Sequence, residues 1–276
     1  MTEIKDLHFS YKRHEPLFTG VNLTLPPGNI YGLLGKNGAG KTTLLKIIAG
    51  LLFPKEGSCT VSGYSSASRS VELLKEIFFL PEEFYVPQVS ADTYRKLYSP
   101  FYPRFSSEDF EQSLSEFDIG RKEILTSLSY GQKKKFLIAF GLATDCRLFI
   151  LDEPTNGLDI PSKSQFRRLV AGGLTEDRTF LISTHQVRDM QNLIDPIIIL
   201  DSGTIIFMED MYTGNTKLAV KYTHTPPDDD PIYMERILDN YTIVTENSDG
   251  KAQDIDLELL FNAVIGNRER LSRIFA

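Results

Sequence analysis

A glycine-rich loop followed by a lysine and two threonines carries the strongest chemical signal in this chain. Residues 35–43 read GKNGAGKTT. Glycines let a backbone wrap closely around a polyphosphate, so that its N–H groups and the start of the following helix meet negative oxygens. Lys41 adds a positive charge for terminal phosphates, and the Thr42 hydroxyl is a ligand for Mg²⁺. The pattern therefore predicts a polyphosphate site.

A pair of carboxylates ends an apolar run further along the chain. Asp152 and Glu153 follow directly after residues 148–151, Leu-Phe-Ile-Leu. Open α/β sheets bind ligands at the carboxyl ends of their strands. Asp152 is therefore predicted to assist Mg²⁺, and Glu153 to lie nearer to an attacking water.

Short apolar runs separated by helical stretches must position these groups. Residues 30–34 predict a central parallel strand that leads into the glycine loop and a helix. Further strands are predicted at 4–11, 21–25, 77–80, 148–151 and 180–183, and a hairpin at 197–207. Crossover helices between buried strands imply an α/β core with a parallel sheet, complete near residue 210.

Two segments differ from this core in character. Residues 83–143 predict an inserted helical subdomain, in which Ser106 caps a helix and Gly120 suits its end. Residues 223–231, with three prolines, predict a loop within an appended C-terminal portion. That portion also contains an apolar helix face, more typical of packing or a dimer contact than of a ligand site, made by Leu257, Leu260, Phe261, Val264 and Ile265.

The composition excludes several classes of protein. A net charge of -7 argues against broad attraction to nucleic acid or anionic lipid. Cys59 and Cys146 lack the spacing of a disulfide framework or a zinc site, which favours a reducing compartment. No stretch has the roughly 20 apolar residues of a membrane span, and the start has no secretory pattern, so we expect a chain that stays inside the cell.

A serine and a glycine open a further apolar helix just before the carboxylate strand. Residues 128–132 read Leu-Ser-Tyr-Gly-Gln, and Ser129 and Gly131 predict a second anion-binding helix start. With this motif in place, the chain resembles the nucleotide-binding subunits of ABC (ATP-binding cassette) ATPases, whose signature is Leu-Ser-Gly-Gly-Gln. The resemblance covers about residues 1–210.

The resemblance implies a fold and a set of functional residues. The fold would be a P-loop NTPase core with an N-terminal antiparallel β subdomain, a nucleotide-binding domain over 1–210 and a C-terminal extension over 211–276. Tyr11 would stack on adenine, residues 156–159 resemble the D-loop, and His185 matches the switch histidine. The implied catalytic residues are Glu153, His185 and Lys41. The implied ATP-binding residues are Tyr11, Gly35, Lys36, Asn37, Gly38, Ala39, Gly40, Lys41, Thr42, Thr43, Ser129, Gly131, Gln132 and Asp159. Thr42, Glu82 and Asp152 would bind Mg²⁺.

Two residues depart from the family pattern. Glu82 stands where family members commonly have glutamine, and it adds negative charge beside Asp152 and Glu153. Its Pro-Glu-Glu loop looks like that of the drug and antibiotic exporter branch. Tyr130 replaces the first glycine of the signature, and we expect the anion-binding helix start to survive.

The resemblance also implies partners. Two such domains associate head to tail, so we expect a homodimer, or a heterodimer with a similar ATPase, that hydrolyses ATP to power an integral membrane permease, most simply an exporter. The chain would lie peripherally on the cytoplasmic face of the membrane and contact the permease through residues 82–91, with Phe84, Tyr85 and Val86 exposed. Two alternatives remain: a soluble ABC ATPase, or a regulatory module that clasps ATP without hydrolysing it.

Overall fold

The computed structural model describes residues 1–11, 15–226, 230–248 and 250–275. Its strands are β1 (Thr2–Phe9), β2 (Phe18–Leu25), β3 (Ile30–Leu34), β4 (Glu56–Val61), β5 (Tyr64–Ser65), β6 (Ile77–Leu80), β7 (Leu148–Asp152), β8 (Thr179–Thr184), β9 (Ile197–Asp201), β10 (Thr204–Glu209), β11 (Leu218–Thr223), β12 (Tyr233–Ile237) and β13 (Asn240–Glu246). Its α-helices are α1 (Lys41–Ile48), α2 (Val71–Leu74), α3 (Ala91–Tyr98), α4 (Ser107–Glu116), α5 (Tyr130–Ala143), α6 (Ile160–Gly172), α7 (Val187–Met190), α8 (Met211–Lys217), α9 (Leu257–Gly266) and α10 (Arg268–Phe275).

A six-stranded sheet forms the centre of the molecule. Its order is β10-β9-β3-β8-β7-β6, parallel except for β10, which runs antiparallel to β9. Every residue of β3, β7 and β8 is buried. Because both faces of the sheet are covered, these strands are mainly apolar rather than alternating, and their polar residues cluster toward the strand ends. The α/β core with its predicted parallel strands is thereby confirmed, and the carboxyl ends of β3, β7 and β8 meet at one edge.

An antiparallel sheet covers one face of the centre. Its strand order is β2-β1-β4-β5, and β2 alternates between buried and exposed positions, as a half-buried strand does. Helix α1 packs between the two sheets, and its Leu44, Leu45, Ile47 and Ile48 are fully buried in the hydrophobic cluster that both sheets share. The start of α1 is therefore held rigidly at the carboxyl end of β3.

Helices α3, α4 and α5 form the inserted helical segment. Ser106 caps α4, as predicted, by accepting a hydrogen bond from the Asp109 N–H at 3.1 Å. The predicted end at Gly120 is wrong, because the helix stops at Glu116 and Asp118 turns the chain with a φ of 54°. Phe110, Phe136 and Phe140 join α4 to α5 with ring centroids 6.0 Å apart. Aromatic packing thus fixes α5 against the rest of the segment.

The predicted hairpin is formed by β9 and β10. Ser202 and Gly203, both with positive φ, make its two-residue turn.

The C-terminal portion continues the hydrophobic core. A three-stranded sheet, β11-β13-β12, follows, and its Leu218 and Val244 share one cluster with Ile199 of the central sheet. A domain division near residue 210 stays a prediction.

The apolar face predicted around Leu257 lies on α9 and packs inside the chain. Leu257, Leu260 and Val264 are buried, as is Leu259, whereas Phe261 and Ile265 are partly covered. In the predicted loop at 223–231, Thr223 still belongs to β11, residues 224–226 and 230–231 are outside helices and strands, and 227–229 lie outside the described residues. Among the described helices, none is both long and apolar enough to cross a bilayer.

Candidate functional site

The glycine loop connects the carboxyl end of β3 to the start of α1. Gly38 and Gly40 have φ values of 83° and 108°, which side-chain-bearing residues rarely adopt. A Cβ on Gly40 would also approach the Phe18 ring to 2.9 Å. Lys36, Asn37 and Gly38 are exposed, whereas Gly35 and Ala39 are buried under the loop.

Lys41 is the buried cation of this loop. Its Nζ donates hydrogen bonds to the carbonyls of Gly35 at 2.7 Å and Lys36 at 3.3 Å. Burial lowers the pKa of Lys41, and the carboxylates of Glu153, Asp152 and Glu82 partly offset that effect. Three negative groups therefore surround the lysine that was predicted to meet phosphate.

The carboxylate of Asp152 lies directly beside the first helical turn of α1. Its Oδ2 accepts a hydrogen bond from Thr42 Oγ1 at 2.8 Å, and its Oδ1 accepts one from Ser183 Oγ. Ser183 was not predicted as a site residue, although β7 and β8 pair Asp152 with it in register. Hydroxyl and carboxylate oxygens are ligands that Mg²⁺ prefers, so Thr42 and Asp152 have donor chemistry that fits this ion.

The side chain of Glu153 is paired with His185. Glu153 Oε1 accepts a hydrogen bond from His185 Nδ1 at 2.8 Å, and its Oε2 accepts a longer one from the His185 N–H at 3.4 Å. Glu153 is buried, with a φ of 48°, and its own N–H donates to the Ser183 carbonyl at 3.1 Å. The carboxylate is therefore held from both the strand and the histidine.

Lys41, Thr42, Glu153 and His185 line one cavity of about 720 Å³, whereas Asp152 contacts Thr42 from outside the lining. Tyr11 stands at its edge, 47% exposed, and its Oη forms a 2.9 Å hydrogen bond with Thr43 Oγ1. The predicted residues in the lining are Tyr11, Asn37, Gly38, Gly40, Lys41, Thr42, Thr43, Glu82, Glu153 and His185. Glu15, Pro16 and Leu17 also line it, and no motif pointed to them.

Glu82 joins the cavity to the loop after β7 and to the start of α5. Its Oε1 accepts a hydrogen bond from Asn156 Nδ2 at 2.9 Å, and its carbonyl accepts one from Tyr130 Oη at 2.7 Å. The predicted exposure of the following residues is only partly right. Tyr85 is 83% exposed, but Phe84 stacks on Tyr130 with centroids 5.1 Å apart, and Val86 is buried in the core.

Outside the cavity lining lie Gly35, Lys36 and Ala39 of the glycine loop, Asp152, and the four predicted residues of the α5 and α6 starts. Ser129 caps α5, and its Oγ and backbone N–H exchange hydrogen bonds with Gln132 in a capping box. Gly131 packs closely on the Gly157 carbonyl, which a Cβ would approach to 2.9 Å. Asp159 caps α6 through the Ser162 N–H, and hydrogen bonds with the Ser162 side chain and with this N–H lower the pKa of Asp159. Within one chain, the signature residues at the start of α5 therefore lie apart from the cavity that the glycine loop lines.

The chain is similar to known proteins along most of its length. Residues 18–156 match the ABC transporter family model. The lantibiotic transport ATP-binding protein SrtF of Streptococcus pyogenes is 31% identical over 79% of this chain and 94% of its own. The SkfA peptide export ATP-binding protein SkfE of Bacillus subtilis (strain 168) is 29% identical over 70% and 81%.

A solved structure of an ATP-binding subunit of an ABC transporter is also similar. It superposes with a TM-score of 0.70 and 25% identity over 76% of this chain and 90% of that one. The family match, the relatives and the shared fold agree with the strand-end site described above. The chain therefore belongs to the ABC transporter family, as an ATP-binding, ATP-hydrolysing subunit.

Proposed function

We propose that this subunit hydrolyses Mg-ATP in the cavity at the start of α1 and powers an exporter. The observation that carries the proposal is a pair of contacts at the cavity: Thr42 with the buried Asp152 behind it, and Glu153 with His185. The first contact provides two oxygen donors suited to Mg²⁺, and the second holds a carboxylate by a histidine; both lie beside the buried cation of Lys41. Together these groups match the needs of phosphoryl transfer to water.

Each residue has a distinct role in the proposed reaction. Glu153 takes a proton from water as the water oxygen bonds to the γ-phosphorus, and the bond from that phosphorus to the bridging oxygen breaks, leaving ADP. His185 keeps the Glu153 carboxylate and the γ-phosphate in register. Lys41 and the N–H groups of the glycine loop stabilise the charge that spreads over the transferred group.

Thr42 and Asp152 would hold Mg²⁺, with Glu82 as a further oxygen donor at the cavity wall. When bound, the ion neutralises phosphate charge and orients the nucleotide. Tyr11 would stack on the adenine ring at the open edge, where its ring is half exposed.

Ser129, Gly131, Gln132 and Asp159 are proposed to act on the nucleotide of a second subunit. They lie outside the lining of their own chain's cavity, although the start of α5 suits an anion. A head-to-tail dimer, with an identical chain or a similar ATPase, would bring that helix start to the partner's γ-phosphate. ATP would then close the dimer, and hydrolysis would release it.

The proposed membrane partner is an integral permease, which would place this chain on the cytoplasmic face of the membrane. An apolar groove of about 590 Å³, lined by residues including Leu51, Val71, Leu74 and Phe101, is a suitable contact surface. Val71 and Phe101 are 61% and 66% exposed, and exposed apolar surface of this kind marks protein contacts. Relatives named for lantibiotic transport and peptide export support a peptide-like cargo moved outward.

Phosphate release by the wild type and by Glu153→Gln tests the proposal. Loss of the general base should lower turnover at least about a hundredfold while ATP binding remains. The variant should also accumulate ATP-bound dimers, measurable by light scattering. Glu83→Gln, on an exposed neighbouring carboxylate outside the cavity lining, is the control and should keep wild-type turnover. Negligible rates in both the wild type and Glu153→Gln would favour the ATP-clasping module, and equal, substantial rates would contradict the role of Glu153 as general base.

A further inference from the structure

Lys134 is the fully buried member of a basic run at the start of α5. Lys133 and Lys135 are half-buried, whereas Lys134 is 0% exposed. A buried ammonium is unfavourable unless hydrogen bonds compensate its lost hydration. The contacts of Lys134 therefore explain why the chain keeps a cation there.

The Nζ of Lys134 binds the loop that follows β7. It donates hydrogen bonds to the Glu153 carbonyl at 3.0 Å and to the Asn156 carbonyl at 2.8 Å. The Tyr130 ring lies over it, with Nζ 5.2 Å from the ring centroid, and Phe84 stacks on that ring. Lys134 thus connects the two ends of the short loop 153–156, and an aromatic ring packs over its ammonium group.

The backbone of Glu153 needs such support. Its φ of 48° is in the left-handed region, where a residue with a side chain persists only if its surroundings hold it. The Ser183 carbonyl holds the N–H side of Glu153, and Lys134 holds its carbonyl side. The turn directs the carboxylate away from the strand and toward His185.

Charge complements these contacts. Burial lowers the pKa of Lys134 by more than Glu82, Glu153 and Asp152 raise it, and the resulting pKa is about 8. Lys134 is absent from the residues that line the nucleotide cavity, so its contacts are with the loop and not with the cavity.

We propose that Lys134 is a positioning residue for ATP hydrolysis, which fixes the backbone of Glu153 so that its carboxylate faces His185 and the nucleotide. This inference rests on the proposed role of Glu153. Lys134 connects the signature helix directly to the loop of the general base, and its removal misdirects the carboxylate without weakening the nucleotide site.

The test compares Lys134→Met with Arg178→Met. Arg178 is also a buried cation, 7% exposed, and donates to the Gly173 carbonyl at 2.8 Å, but it precedes β8 at the end opposite Ser183 and His185. Methionine removes the donors of both cations; it is close to lysine in length and shorter than arginine. Lys134→Met should lower kcat at least about tenfold through misplacement of Glu153, with KM and ATP affinity within about twofold. Arg178→Met should lower Tm without changing kcat, and Lys134→Arg should recover part of kcat.

Hydrogen exchange provides a readout independent of turnover. Lys134→Met should accelerate amide exchange in residues 153–158 while β7 keeps its protection. A variant with wild-type kcat and wild-type exchange in this loop would overturn the inference. So would equal changes in kcat in Lys134→Met and Arg178→Met at matched loss of Tm. If Glu153→Gln itself retained full turnover, the proposed function would fail instead, which separates the two.

Discussion

Glu82 and Tyr130, the two residues that depart from the family pattern, are in direct contact. Tyr130 Oη donates to the Glu82 carbonyl, and the Tyr130 ring stacks on Phe84 two residues further along. A glycine at position 130 could make neither contact. Burial, together with the charges of Glu82 and Glu83, raises the pKa of Tyr130, so its hydroxyl stays a donor near neutral pH. The Glu82 loop is therefore tied to the signature within one chain.

Glu82→Gln should raise the affinity of the site for metal-free ATP and lower its affinity for Mg²⁺. The amide oxygen can still accept from Asn156, but one negative charge leaves the cavity wall. At effective dielectric constants between those of water and of a protein surface, the repulsion between this charge and the phosphates is about 1 kcal/mol. We expect roughly fivefold tighter binding of ATP in EDTA, together with a higher Mg²⁺ concentration for half-maximal turnover.

Fluorescent-ATP titration and a magnesium series measure these two quantities. Glu83→Gln removes the same charge from the neighbouring residue, outside the cavity lining. If both variants behaved alike, only the general field of the loop would matter and Glu82 would have no specific role.

Contacts between elements give the site its precision. Register between β7 and β8 places Ser183 against Asp152, and the packed start of α1 brings Thr42 to the same carboxylate. The apolar groove described above lies between the end of α1, α2, β6 and the 3-10 turn Ser99–Phe101. Helix α1 connects the nucleotide cavity, which Lys41 to Thr43 line at its start, to this groove, which Ala49 lines directly after its end.

If the apolar groove binds the proposed membrane permease, Phe101→Asp should weaken that attachment. A charge in place of an anchoring aromatic at an interface costs about 2 kcal/mol or more, so we expect at least a tenfold loss of recovered complex. The measurement is co-purification with the product of a neighbouring gene that encodes several apolar spans. Leu238→Asp, on an 86% exposed apolar residue outside the groove, is the control. Undiminished recovery of Phe101→Asp would assign the contact to another face.

The whole molecule buries both of its thiols. Cys59 and Cys146 are 4% and 0% exposed, and burial raises their pKa values from 9.0 to about 11 and about 12. The thiolate is the reactive form, so neither is expected to react while the chain is folded. Above about pH 9 the unfolded chain loses thiol protons that the folded chain keeps, and the free energy of unfolding from these groups falls as pH rises.

Thiol labelling near pH 8 should therefore follow global unfolding. Native protein should take up no reagent, and both cysteines should react with a midpoint in urea equal to that of the loss of secondary structure. Labelling of one cysteine before that midpoint would show that its part of the core opens separately.

The chain sequence by itself determined the local parts of this protein. The apolar runs, the glycine loop and the carboxylates after β7 follow from neighbouring residues, because periodicity and turn chemistry act within a few positions along the chain. The hairpin turn and the cap of α4 were predictable for the same reason. The order of motifs also indicated the family, which the family model and the relatives then showed.

Only the tertiary structure decided which segments meet. The contacts of Ser183 with Asp152, of Tyr130 with Glu82 and of Lys134 with the Glu153 carbonyl join residues 31, 48 and 19 positions apart. Lysine side chains usually face solvent, and Val86 lies in a loop that was expected to be exposed. Packing against other elements buried both Lys134 and Val86. Sheet order and helix packing set such contacts, and a one-dimensional pattern does not contain them.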